Sequence, residues 1–294
     1  MKKGWRVASG FFGGQLDADD LGLWRGWGVF EAMMARGNSI FHFKEHCDRL
    51  ISSCERSYIS IPKNFSSEVL RLQLSTSLGV QKLDESIVKL MITQGGSANH
   101  KTPENGKSNW FYRILPFPVS NQEPLKLVVK KAVKSNFPEI KSTGSYHDAM
   151  VLKAQAQKEG FDDFLYFTSE TGIKETSMAN IFFVVRSHGQ RVLITPEDNI
   201  LHGITRSVVL SLAKDDTDIF HCALTLPSSL FLENLLFEAE ECFLTSTTLG
   251  IKEVERIQHA NGKIYYFKKT EATNKLKERF LQYREEYFQK NTPT

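Results

Sequence analysis

The stretch 201-LHGITRSVVL-210 sets a glycine ahead of two β-branched residues and an arginine, and then begins an apolar helical run. Gly203 permits close backbone approach or positive φ. Thr205 reads as the N-cap of a helix over 206–214, with Val208, Val209, Leu212 and Ala213 starting one apolar face. The first turn of a helix leaves backbone N–H groups without partners, and the helix dipole favours negative charge there. The stretch therefore has the form of a cup for an anion such as phosphate. Alone, it also reads as a capped helix with no ligand.

Three further stretches carry residues able to do chemistry, each with a plainer reading beside it. In 139-EIKSTGSYHDAM-150, Lys141 precedes a glycine-containing turn and Tyr146 opens a helix. A lysine is an amine nucleophile near neutrality only if desolvation or nearby cations lower its pKa from about 10.4, and the chain holds 37 lysines and arginines from which to choose. In 172-GIKETSMANIFFVV-185, Glu175 stands before an apolar strand that Asn180 opens. A carboxylate between apolar elements needs a partner, or else it is an exposed hairpin glutamate. In 245-TSTTLG-250, a strand runs into a loop rich in hydroxyls, which suits an anion or a solvated turn.

Around these stretches the pattern is mixed. Residues 28–36 and 39–43 read as strands around a Gly-Asn turn, and helices are expected over about 44–58 and 66–78. Cys47, Leu50, Ile51, Cys54 and Tyr58 form the apolar face of the first helix; His46, Arg49 and Ser53 form a polar stripe that by itself reads as solvated. The proline-bearing segment 116–124 reads as a linker. Beyond it come a strand at 125–133, a helix from Tyr146 to Gly160, short strands at 163–168, 180–185, 192–195 and 241–247, and an amphipathic helix over 270–288. The fold class is α/β (α+β) in two domains: 1–117, a smaller N-terminal domain; 118–124, a linker; 125–294, a larger C-terminal domain.

The 294 residues have a net charge of +3 and no dense basic run, which gives no footprint for nucleic acid. No apolar stretch is long enough to span a bilayer, and the first residues make a poor signal peptide. Cys47, Cys54, Cys222 and Cys242 lack CxxC spacing, as suits reduced thiols in a cytoplasmic protein. The eight histidines show no metal-ligand spacing, so no metal is expected.

Singly these signals are weak, but their order is informative. The blocks 28-GVFEAMMARGNSIFHFKEHCDRL-50, 141-KSTGSYHDAMVLKAQAQKEGFDD-163, 172-GIKETSMANIFFV-184, 193-LITPEDNILHGITR-206 and 243-FLTSTTLGI-251 resemble, in sequence order, the fold-type IV pyridoxal-phosphate enzymes. That family includes branched-chain and D-amino-acid aminotransferases and aminodeoxychorismate lyases. The resemblance implies a C-terminal domain with a β-barrel-like core and pyridoxal 5′-phosphate as cofactor. It also implies a homodimer and amino-group transfer between an amino acid and a 2-oxo acid, or alternatively release of pyruvate from 4-amino-4-deoxychorismate. It implies that Lys141 joins the cofactor as a Schiff base and that Glu175 holds its ring nitrogen protonated. Tyr146 would bond its phenolic oxygen. Arg49, the N–H groups of Ile204 and Thr205, and Thr247 would bind its phosphate.

Departures from the family pattern bear on substrate. Trp27 replaces a common acid, and Arg25, where many members have an aromatic, is placed to clamp a substrate carboxylate or to form a surface ion pair. Thr248 is a second substrate candidate. The loop 93-TQGGSANHKTPENG-106 has Gln94 in place of an arginine; its Lys101 is a third candidate, acting across a dimer.

Overall fold

The computed structural model describes residues 11–14, 18–96, 108–119, 121–217, 219–230 and 233–291. The chain divides into two compact units, one of 1–119, 140–144 and 286–294, the other of 120–139 and 145–285. The segment 140–144, which carries Lys141, thus groups with the first unit, although the chain on either side of that segment belongs to the second.

The first unit is an antiparallel sheet with helices. Strands β1 (Phe11–Gly14), β2 (Gly28–Arg36), β3 (Ser39–Ile40), β4 (Glu85–Thr93) and β5 (Asn109–Pro116) take the order β1-β5-β4-β2-β3. Helices α1 (Leu21–Arg25), α2 (Phe43–Arg56) and α3 (Ser67–Gln81) complete it. Its core joins Val29, Met33, Leu50, Leu70, Leu74, Val88 and Ile114. Each fully buried aliphatic chain contributes about 1.5–3 kcal/mol by leaving water. Cys47 and Cys54 lie in this core, as their seven-residue spacing predicts, and burial pushes both thiols up to about 12.

The second unit contains β6 (Leu125–Lys131), α4 (Tyr146–Lys158), β7 (Asp163–Thr168), β8 (Gly172–Thr176), β9 (Asn180–Ser187), β10 (Gln190–Pro196), α5 (Ile204–Asp215), β11 (Cys222–Leu226), α6 (Glu233–Glu238), β12 (Glu241–Ser246), β13 (Gly250–Gln258) and β14 (Ile264–Tyr266). The final helix, α7 (Glu271–Asn291), begins in this unit. Glu241 caps it, its two carboxylate oxygens accepting from the N–H groups of Ala272 and Thr273 at 3.0 and 2.8 Å.

Strands β6, β7, β8, β9, β12 and β13 pair in a closed ring of six, the barrel-like core implied by the resemblance. The 180–185 run is apolar without alternation because β9 is covered on both faces. Ile181 and Phe183 join the interior cluster, while Phe182 stacks on Phe243 at 4.9 Å. The ring closes at one register pair, Glu175 opposite Asn180.

Several elements differ from expectation. Glu175 stands ahead of the apolar strand β9, as expected, but it is not an exposed hairpin glutamate: it lies buried within a short strand of its own, β8. The short β8 lacks the apolar periodicity that marks a strand. The start of α5 is also shifted: Gly203, not Thr205, is the N-cap, and Ile204 and Thr205 open the first turn. Strand β13 goes unnoticed in sequence because charged residues interrupt its apolar ones.

Candidate active site

Within the first unit, the segment 140–144 lies along β2. Phe30 N–H donates to Lys141 O at 3.0 Å, Thr143 N–H to Gly28 O at 2.8 Å, and Ser142 bridges Val29. Thr143 Oγ1 donates to Gly26 O at 2.7 Å. Gly26 has φ +64, and a Cβ there would come within 2.8 Å of Gly144 Cα, so glycine is required on two counts. The backbone of Lys141 is thereby registered on a core strand, and its Nζ lies 4.8 Å from the centre of the Phe30 ring. Arg25, adjoining Gly26, is exposed, with its Nη1 donating to Trp24 O.

The polar stripe of α2 is not solvated. His46 and Ser53 are buried, and Arg49 turns onto Glu31 of β2. Arg49 Nε and Nη2 each lie 2.7 Å from a Glu31 carboxylate oxygen, and His46 Nδ1 lies 2.7 Å from Oε2. Burial alone would raise the Glu31 pKa, but the Arg49 charge and hydrogen bond, with His46, bring it down to about 2. His46 is lowered by burial, with Glu31 opposing and the Arg49 and Lys141 charges assisting.

Within the second unit, Glu175 finds the partners that its burial demands. Lys134 Nζ pairs with its Oε1, which also accepts from Leu201 N–H at 2.9 Å. Asn180 Nδ2 reaches its Oε2 at 3.0 Å and Leu201 O at 2.8 Å. Asn180 also decides Gly203: a Cβ there would stand 2.3 Å from Asn180 Oδ1. Of the two reasons for that glycine, close approach is the one realised, since its φ is −67. The carboxylate and the segment leading into α5 are therefore joined twice, by the Leu201 N–H directly and through the Asn180 amide.

Gly203 supplies no side chain to cap the first turn of α5. Arg206 Nη2 donates to Pro196 O at 2.7 Å, whereas Arg206 Nε and Thr245 Oγ1 are buried with no hydrogen-bond partner among the described residues. Thr245 stands directly opposite Asn180 across β12 and β9. Thr247 and Thr248 lie in the half-buried turn beyond β12, where Ser246 Oγ accepts from Leu249 N–H at 3.3 Å. Tyr146 begins α4 behind Ser145. Lys101 lies outside the described residues.

Residues 28–257 match the family described as Amino-transferase class IV. The chain belongs to the class IV aminotransferases. A Methanocaldococcus jannaschii protein assigned by name as a branched-chain-amino-acid aminotransferase is 32% identical over 89% of this chain and 88% of its own. The branched-chain aminotransferase of Thermoproteus uzoniensis superposes with a TM-score of 0.79 at 22% identity, covering 93% of both chains. A Legionella pneumophila structure named as a 4-amino-4-deoxychorismate lyase gives 0.78 at 22% identity, over 91% of this chain and 95% of the other.

As a class IV aminotransferase the chain is a pyridoxal-5′-phosphate enzyme. Its residues fit that cofactor. The uncapped turn at Ile204, the unsatisfied Arg206 Nε and the unsatisfied Thr245 hydroxyl suit an anion, and a buried, hydrogen-bonded carboxylate suits a cationic ring nitrogen. Lys134 and Asn180 are not found as site residues by sequence reasoning. Asn180 shows only as the start of a strand, and Lys134 only as one basic residue among 37.

Proposed function

We propose that this class IV aminotransferase moves the amino group of a branched-chain amino acid to a 2-oxo acid such as 2-oxoglutarate, through a covalent tether on Lys141. The observation that carries the reading is the buried Glu175 carboxylate, held by Lys134, Asn180 and the Leu201 N–H just ahead of α5. The bound cofactor supplies an aldehyde that takes up the amino group and a ring that withdraws electrons.

The chain's own groups would do the rest. Lys141 Nζ would hold the cofactor and carry the proton from the substrate's Cα. Glu175 would keep a proton on the ring nitrogen, and the donors it accepts from would keep it in one orientation. Tyr146 Oη would bond the ring oxygen. The Ile204 and Thr205 N–H groups, the Thr247 hydroxyl and Arg49 would retain the phosphate. Arg25 would pair bidentately with a substrate carboxylate, and Thr248 would bond the same substrate. Lys101 would complete the site of a second copy in a homodimer. A cytoplasmic location accords with four cysteines that form no disulfide, and no helix among the described residues is long and apolar enough to cross a membrane.

The test is a screen of L- and D-amino acids against purified holoenzyme, following the cofactor spectrum. Conversion to the pyridoxamine form by valine, leucine or isoleucine, reversed by a 2-oxo acid, is the expected result. Failure to convert with any amino acid would end the proposal. Pyruvate from aminodeoxychorismate, with no 2-oxo acid present, would assign the lyase activity instead.

A further inference from the structure

Arg49 has its guanidinium edge already engaged. Nε and Nη2 both face Glu31, at 2.7 Å each, in the two-pronged geometry that fixes a guanidinium plane. Glu31 is 1% exposed at its side chain and His46 2%, against 16% for Arg49. His46 and Arg49 are three residues apart on α2, so they share one face and meet the same carboxylate on β2. An ionised carboxylate only accepts, so a neutral His46 must present Nδ1–H to it. Glu31 thus receives three directed bonds, and nothing in amino-group transfer requires it as an acid or base.

We infer that Glu31 and His46 are positioning residues for Arg49: the His46–Glu31 pair locks the guanidinium so that Arg49 meets the cofactor's phosphate pre-oriented and with its charge partly balanced. The inference rests on reading Arg49 as a phosphate ligand. A long, flexible arginine otherwise loses rotamer freedom when it binds an anion, and fixing it beforehand removes that loss from the binding step. His46 acts through Glu31 and does not touch the cofactor. Its effect is therefore on phosphate recognition and not on the chemistry at the amine.

The experiment compares affinities of the full-length, cofactor-freed chain for pyridoxal 5′-phosphate and for pyridoxal, which lacks the phosphate. Their ratio measures phosphate recognition alone. His46→Leu is expected to reduce the ratio on the order of tenfold, the scale on which outer partners tune a binding ligand. His46→Asn, whose amide stands where Nδ1 does, is expected to restore most of it. Arg49→Met should reduce the ratio at least as much as His46→Leu. If the leucine variant does not fold, His46→Gln replaces it, since glutamine sets its amide one bond too far. A ratio lowered by Arg49→Met but unchanged by the His46 variants overturns the positioning role and leaves the phosphate reading standing. A ratio unchanged by Arg49→Met removes the phosphate reading, and the positioning role falls with it.

Discussion

Asn180 stands opposite Glu175 where β8 meets β9, and its Nδ2 lies 3.0 Å from Glu175 Oε2. The contact that closes the barrel is also the one that orients the carboxylate. The same amide holds Leu201 O, and its oxygen leaves no room for a side chain at residue 203. Barrel closure, carboxylate orientation and the start of α5 are thus one hydrogen-bonded arrangement.

Removing the charge of Glu175 should separate its electrostatic role from its structural one. Glu175→Gln keeps the size but leaves the half-buried Lys134 ammonium without its counter-charge. Cofactor should still bind through its phosphate. Single-turnover conversion to the pyridoxamine form should slow by about 10²–10³, the usual effect of deleting an electrostatic stabiliser. A rate within a few-fold of the parent would deny Glu175 that role.

Gly203→Ala should disturb the region through Asn180. The new methyl would lie 2.3 Å from Asn180 Oδ1, so the amide must shift away from Glu175 or α5 must move. The expected cost is about 1–3 kcal/mol, as for other overpacked positions. Urea unfolding reads the stability change, and competition by inorganic phosphate against cofactor uptake reads the helix start. An alanine variant as stable as the parent would contradict the close approach.

Lys141→Ala should lose the aldimine absorbance of the parent holoenzyme. Borohydride reduction of the parent holoenzyme, followed by peptide mapping, should label the peptide containing Lys141. A label on another lysine would remove the proposed tether.

Acid stability should report Glu31. Its pKa falls from 4.5 to about 2 in the folded protein. A carboxylate depressed on folding contributes stability that is complete above about pH 4.5 and is lost as pH falls toward 2. That gap corresponds to about 3 kcal/mol. Urea unfolding between pH 5 and 3 should show a steeper loss of stability in the parent than in Glu31→Gln, which lacks the titrating group. Parallel losses in the two would place the acid sensitivity elsewhere.

Thiol labelling tests the burial of the cysteines. Cys47, Cys54 and Cys242 are buried and Cys222 is half-exposed, with none disulfide-bonded. Ellman's reagent should titrate about one thiol in the native protein and the full set in denaturant, because thiolate formation in the buried set is opposed by desolvation. Rapid native labelling of several thiols would show that the α2 face opens readily.

Long elements were legible in the sequence because periodic apolar residues mark them directly. The helix carrying Leu50 and Cys54 and the amphipathic end read out of spacing, and the strand from Asn180 out of an unbroken apolar run. Order along the chain did the same for the family, since five blocks need no three-dimensional knowledge to be matched. Side-chain partnership was not legible. His46 and Arg49 lie on a stripe that looks solvated until Glu31 arrives from a strand that precedes it by 15 and 18 residues. Lys134 meets Glu175 across 41 residues, and the role of Gly203 as close contact, not turn, depends on Asn180. Local sequence determines which residues can form a helix or a strand, because those interactions run between near neighbours. Which buried charge meets which depends on the path of the backbone through the closed barrel and sheet, and only the tertiary fold decided it.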